Sequence, residues 1–204
     1  MEYMEFGSLW DEDHRSRFSF AECVEILRQS LSALVYLHGR SKPIAHRDLK
    51  PGNILVRQRD PLHVKLGDFG LAKNGSLESH CGTWTYAAPE VQPDSRMRGH
   101  TVAVDLWSLA VVILELAYQL PHPGLGKGMR WCEALVSETN GREPDGLIDI
   151  LQRMAIIEAS ARDSAATCLS TLEEWMQPPA ARPLQAHGDD SVFWPQQVSS
   201  GCQM

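Results

Sequence analysis

The sequence predicts a mainly α fold carrying one small β-hairpin. Three observations lead there. Residues 20–38, "FAECVEILRQSLSALVYLH", repeat apolar side chains at spacings of three and four, the period of an amphipathic helix. Residues 102–119, "VAVDLWSLAVVILELAYQ", are apolar nearly all round, as in a helix buried mid-domain. Between them, "NILV" (53–56) and "HVKL" (63–66) are short β-branched or apolar runs joined by the polar link "RQRDP", which reads as an antiparallel hairpin.

In chain order, the first helix is carried by Phe20, Val24, Leu27, Leu31, Leu34 and Val35. Ser19 and Glu22 form a capping box at its start, and Gly39 is placed to end it. After the hairpin, residues 67–100 show little periodicity and many turn formers, so a long loop is expected. The buried helix comes next, followed by a Pro/Gly loop, "LPHPGLGKG". Two further helical stretches are expected near 146–158 and 163–176, the second with Asp163 or Ser164 as N-cap. Residues 1–176 form one expected domain. From Gln177 to Met204 the chain is Pro-rich, polar and aperiodic, which predicts a disordered tail.

Composition narrows the function. A net charge of -7 argues against a general nucleic-acid or anionic-membrane binder, since both need clustered Lys and Arg. The longest apolar run, "LAVVIL" at 109–114, is far short of a membrane span. The five Cys, at 23, 81, 132, 168 and 202, form no C-x-x-C pair, so zinc-ligand spacing is missing. Their odd number and the acidic start, unlike a leader peptide, predict reduced thiols in an intracellular protein, cytoplasmic or nuclear.

The chemistry gathers around "IAHRDLKPGNILV" (44–56). An antiparallel hairpin sets the start of its first strand beside the end of its second. Asn53 opens the first strand and Asp68, in "GDFG" (67–70), follows the second, so the two should meet. Asp48 and Lys50 lie just upstream on the same side. Carboxylate and carbonyl-type oxygens suit a hard divalent cation such as Mg²⁺. A further carboxylate and a Lys suit a hydroxyl attacking a phosphoryl group, the first accepting the proton and the second steadying charge.

"HRDLKPGN" (46–53), "DFG" (68–70), "CGTWTYAAPE" (81–90) and "DLWSLAVVILEL" (105–116) occur in that order and together resemble the eukaryotic protein kinase family. The resemblance covers roughly residues 1–176 and implies the large C-terminal lobe of a serine/threonine kinase, using ATP and Mg²⁺ on a protein substrate, with no nucleic acid or membrane as partner. It makes Asp48 the base and Asn53 and Asp68 the Mg²⁺ ligands. Lys50 would contact the transferred phosphate. Thr83 would hydrogen-bond Asp48 and Lys50, and both residues favour Ser/Thr acceptors. His46 and Phe69 would pack to position the active loops. Arg47 would meet a phosphorylated activation loop, with Ser79 or Ser76 as the modified residue and Lys73 as a second cation. Glu90 would pair with Arg162 in a buried ion pair, and Asp105 would accept hydrogen bonds from the backbone around His46 and Arg47. Trp84 departs from the Pro common in "GTP-x-Y" versions of its motif.

The start, "MEYMEFGSL", resembles the hinge between kinase lobes. Met1 would be the gatekeeper, the backbone of Glu2 and Met4 would meet adenine, Ser8 would fall near the ribose, and Leu55 would join the nucleotide-binding set. The resemblance then implies that the N-terminal lobe is absent, with its Gly-rich loop and phosphate-binding Lys. "GLGKG" (124–128) does not replace that loop, because Met129 stands where a third Gly is needed. The rival reading is a non-catalytic kinase-like protein-interaction module.

Overall fold

The computed structural model describes residues 4–11, 18–68, 83–97, 101–118, 120 and 127–177. Met1, Glu2, Phe69, Lys73, Ser76, Ser79 and the tail from 178 onward lie outside the described residues.

Helix α1 spans Phe20–His38 and begins with the expected capping box. Ser19 N–H donates to Glu22 Oε2 at 2.8 Å, and Glu22 N–H donates to Ser19 Oγ at 3.3 Å. At the far end Gly39 N–H closes on Val35 O at 3.0 Å. Its buried face includes Val24, Ile26, Leu27, Leu31 and Leu34. Helix α2, Ala103–Ala117, is buried at every residue from Val104 through Leu114 and forms the centre of the core.

The hairpin pairs β1, Ile54–Arg59, with β2, Leu62–Leu66. The strands run further than the sequence pattern suggested. Most of "RQRDP" is strand, and a register shift between Val56 and Gln58 absorbs one residue, so the link shrinks to Asp60–Pro61. A two-stranded sheet is marginal alone, and both of its edges offer unpaired backbone groups. Here both edges are engaged. Leu9 N–H donates to Ile54 O and Val56 N–H to Gly7 O, each at 2.9 Å. On the other side the Gln29 side-chain amide donates to Leu62 O and accepts from Val64 N–H, each at 2.8 Å.

The predicted loop at 67–100 contains two short 3-10 turns, Thr83–Tyr86 and Pro89–Val91. Helix α3, Met129–Asn140, was not expected from the sequence. Its buried stripe is narrow, Trp131, Cys132, Leu135 and Thr139, and one of the four is polar. Its N-cap, Gly128, offers no capping side chain, so neither helix signal is strong. Helix α4, Gly146–Met154, is shorter than the 146–158 stretch; Ala155 ends it and a separate turn follows at Ala159–Ala161. Helix α5 is Ala165–Met176, and Ser164 rather than Asp163 is the N-cap, taking Thr167 N–H at 3.1 Å. Helix α1 packs on α5, β2 and α2, and α4 on α5 and α2. Among the described residues, no helix is long and apolar enough to cross a membrane.

Candidate active site

The hairpin register brings the residue before Asp68 beside Asn53. Ile54 faces Leu66, so Gly67 lies beside Asn53, and Gly67 N–H donates to Asn53 O at 2.8 Å. A side chain at 67 would be forced against Leu55, since a Cβ there would lie 2.7 Å from Leu55 Cδ1. Asp68 is the next residue and is exposed.

Asp48 is buried. Its Oδ2 accepts from Lys50 Nζ at 2.8 Å and from Asn53 Nδ2 at 2.9 Å. Asn53 Nδ2 also donates to Asp48 O at 2.7 Å. The amide is thereby oriented by its nitrogen, leaving Oδ1 as its acceptor atom. Asp48 Oδ1 is buried and has no hydrogen-bond partner among the described residues. Buried polar atoms are nearly always satisfied, so this oxygen calls for a partner that the described residues do not supply.

Two non-glycine residues among those described have positive φ, Arg47 at 69° and Asp68 at 54°. Left-handed backbone costs roughly 1–2 kcal/mol for such a residue, and such strain persists where surrounding bonds over-determine it. For Arg47 those bonds come from Asp105. Its Oδ1 accepts Arg47 N–H and its Oδ2 accepts His46 N–H, both at 2.8 Å. Asp105 is fully buried on α2, so the core helix pins the loop that carries Asp48. His46 is buried too, and its Nε2 pairs with Gly67 O at 2.9 Å, which ties the loop to the hairpin's end. It does more than pack. Arg47 is half-buried, and its Nε has no hydrogen-bond partner among the described residues.

Sequence reasoning missed His38. Its Nε2 lies 2.8 Å from Asp105 Oδ2, adding a third group to that carboxylate. The one signal was a polar residue at the end of α1 near the buried face. Asp11 was missed as well. It holds the first turn together, accepting Ser8 N–H at 2.5 Å and Ser8 Oγ–H at 3.0 Å. Ser8 also bridges to Leu55, and Met4 is half-buried at the start of the same turn. Of Thr83 the backbone alone is described, in its 3-10 turn.

Glu90 and Arg162 form a buried bidentate pair, Nη1 to Oε1 at 2.8 Å and Nη2 to Oε2 at 2.7 Å. Arg162 also donates to the carbonyls of Ile156, Ile157 and Ala103. It fastens the 3-10 turn at Pro89–Val91 to the region before α5.

The arrangement can accept a proton at Asp48, supply positive charge at Lys50 and offer hard oxygen ligands at Asn53 and Asp68. Among the described residues no three His, Cys, Asp or Glu side chains form a metal cage. An amide oxygen plus one carboxylate is nonetheless the kind of partial set Mg²⁺ uses when substrate phosphates complete its shell.

Known proteins share this chain's sequence. The protein kinase domain family matches residues 1–172. The serine/threonine-protein kinase cds1 of Schizosaccharomyces pombe is 34% identical over 188 residues, covering 83% of this chain and 39% of cds1. The serine/threonine-protein kinase RAD53 of Saccharomyces cerevisiae is 45% identical over 115 residues, 49% of this chain and 14% of RAD53. The human cAMP-dependent protein kinase catalytic subunit PRKX is 42% identical over 124 residues, 59% of this chain and 33% of its own length. The chain therefore spans less than half the length of each of these relatives.

Proposed function

The chain belongs to the protein kinase family, and we propose that it acts there as a serine/threonine kinase, moving the γ-phosphoryl group of ATP to Ser or Thr hydroxyls of a protein. The observation that carries this reading is the Asp48 carboxylate, one oxygen held by Lys50 and Asn53 and the other buried without a partner among the described residues. Asp48 Oδ1 accepts the proton of the substrate hydroxyl as it attacks. Lys50 Nζ, fixed on Asp48 Oδ2, sets positive charge beside the transferred group. Asn53 Oδ1 and the Asp68 carboxylate would hold Mg²⁺, which when bound neutralises phosphate charge. The turn at residues 4–11, joined to β1 through Ser8 and Leu55, is the floor for the nucleotide.

Arg47, with its Nε lacking a protein partner among the described residues, is the proposed receptor for a phosphate on Ser79 or Ser76, with Lys73 as a second cation. Buried free thiols at Cys23, Cys132 and Cys168 support a reducing, intracellular setting, cytoplasmic or nuclear.

The test is Mg²⁺-dependent stabilisation by ATP. Thermal unfolding of the chain with Mg-ATP is expected at a higher temperature than with Mg²⁺ alone, because a ligand that binds the folded state shifts the equilibrium. Asp68→Ala should erase that rise, while Asp48→Asn should keep it and abolish transfer to a Ser/Thr peptide. Absence of any rise in the wild-type chain would favour a non-catalytic interaction module instead.

A further inference from the structure

A 3-10 turn as short as Thr83–Tyr86 leaves most of its carbonyls without helical partners. The carbonyls of residues 84–87 all find side chains from elsewhere in the chain. Gln92 Nε2 donates to Trp84 O at 3.0 Å and to Ala87 O at 2.7 Å. Trp131 Nε1–H, on α3, donates to Thr85 O at 2.8 Å. Ser108 Oγ–H, on α2, donates to Tyr86 O at 2.8 Å. Tertiary contacts therefore set where this turn sits.

Helix α2 holds the Tyr86 end, and it holds the loop of Asp48 as well. Ser108 lies one helical turn beyond Asp105, whose carboxylate takes the N–H groups of His46 and Arg47. Tyr86 O–H also donates to Glu115 Oε2, on the same helix, at 2.6 Å. A second connection runs through rings. Tyr86 meets Trp10 edge-on with centroids 6.3 Å apart. Trp10 lies against Gly52, between Lys50 and Asn53, where a Cβ would be 3.7 Å from its ring.

The Trp84 end depends on Gln92. That side chain is buried, and its Oε1 accepts Gly128 N–H at 2.8 Å. Gly128 is the N-cap of α3, at the corner after Lys127. The corner is fixed in its own right. Gly128 has φ of +84°, and a Cβ there would meet Asp94 Oδ2 at 3.0 Å. One amide thus joins the turn to the start of α3 by three hydrogen bonds. Its loss would leave two carbonyls and an N–H without that partner, a costly state for buried groups.

We propose that Gln92 is a positioning residue for phosphoryl transfer. It holds the Trp84 end of the turn to α3, and so keeps the turn seated against Trp10 and the loop that carries Asp48. The inference rests on the kinase reading and adds to it a residue remote from both nucleotide and acceptor hydroxyl. Gln92 makes no bond to Asn53 or Asp68, so its loss leaves those two in place. A displacement of about 1 Å near reacting groups can slow a reaction by roughly 100-fold. Partial release of the turn should slow transfer by about tenfold or more.

The test separates positioning from stability. The full chain is labelled with 5-fluorotryptophan, and the Trp10 ¹⁹F line is identified by its loss in Trp10→Phe. In Gln92→Leu, which removes the three bonds at similar volume, the Trp10 line should move, because the Tyr86 ring facing it moves. Single-turnover transfer from Mg-ATP to a Ser peptide should slow by about tenfold or more relative to the wild-type chain. Mg-ATP should still raise the unfolding temperature of the variant. Ser19→Ala, a loss of stability at the start of α1, should leave both the Trp10 line and the transfer rate unchanged. Where Gln92→Leu does not fold, native-state hydrogen exchange of the wild-type chain decides. The amides of Ala87 and Gly128, bonded to Trp84 O and Gln92 Oε1, should open together, with protection within about tenfold of each other. A larger difference overturns the clamp. So does an unmoved Trp10 line in folded Gln92→Leu, an undiminished rate, or an equal fall in Ser19→Ala. A wild-type chain with no Mg-ATP rise or no transfer overturns the proposal together with the kinase reading.

Discussion

At residue scale, the buried Glu90 carboxylate has a structural duty. Glu90 faces a guanidinium that keeps three carbonyl partners if Glu90 is lost, but no counter-charge. Glu90→Ala is therefore expected to lower stability by about 3–5 kcal/mol, the usual cost of stranding one member of a buried pair. A denaturant midpoint series of Glu90→Ala, Arg162→Met and the double variant checks it, and the double variant should recover part of the loss. The buried thiols make a second case. Burial pushes the Cys23 thiol up to about 11 and those of Cys132 and Cys168 up to about 12. Folding thus favours the neutral thiol over the thiolate. The associated stability is fully present below pH 9 and is lost as pH rises from 9 towards 11–12. Each thiol adds a slope of about 1.4 kcal/mol per pH unit in that window. Unfolding midpoints between pH 8 and 11 should fall accordingly, and Cys132→Ala should flatten the curve. The same residues should resist alkylation at pH 8 in the folded chain and react after unfolding.

At the scale of elements, α1 begins on side-chain bonds that are local and therefore legible in sequence. Ser19→Ala removes the acceptor for Glu22 N–H and should cost about 1 kcal/mol. Thermal unfolding will read this as a small downward shift, and Ser19→Asp should restore most of it. The hairpin was legible for a similar reason, its two short β-branched or apolar runs with a polar link between them, yet its length was not. The register shift after Val56 and the cover given by Gln29 and by residues 7–9 extend the strands into residues that look like a link. Helix α3 escaped because its apolar stripe is narrow and its start depends on Asp94 and Gln92 from elsewhere in the chain. A helix whose cap is tertiary leaves little local signature.

At the scale of the whole molecule, these 204 residues hold the proposed base Asp48, the Lys50 proposed to contact phosphate and the proposed metal ligands Asn53 and Asp68, but no G-x-G-x-x-G segment. Positioning and charge stabilisation supply nearly all of the catalysis in phosphoryl transfer. Phosphotransfer by this chain alone is accordingly expected to run far below the roughly 1–100 s⁻¹ typical of kinases, and a single-turnover assay with radiolabelled ATP would show it. A rate inside that range would refute this account of where the catalytic power resides. The sequence by itself determined helices α1, α2, α4 and α5 and the hairpin in their order, the presence of Asp48, Lys50, Asn53 and Asp68 around that hairpin, and the family to which these motifs belong. Those follow from local periodicity, capping and spacing along one stretch of chain. Only the tertiary structure decided that His38 joins Asp105, that Arg47 is held in the left-handed region, that Asp48 keeps one oxygen unpaired among the described residues, and that Gln92 clamps Trp84 to the corner beside Lys127. The physical reason is that each of these depends on which atoms meet across the packed core, and hydrogen-bond partners distant in sequence leave no periodic trace in it.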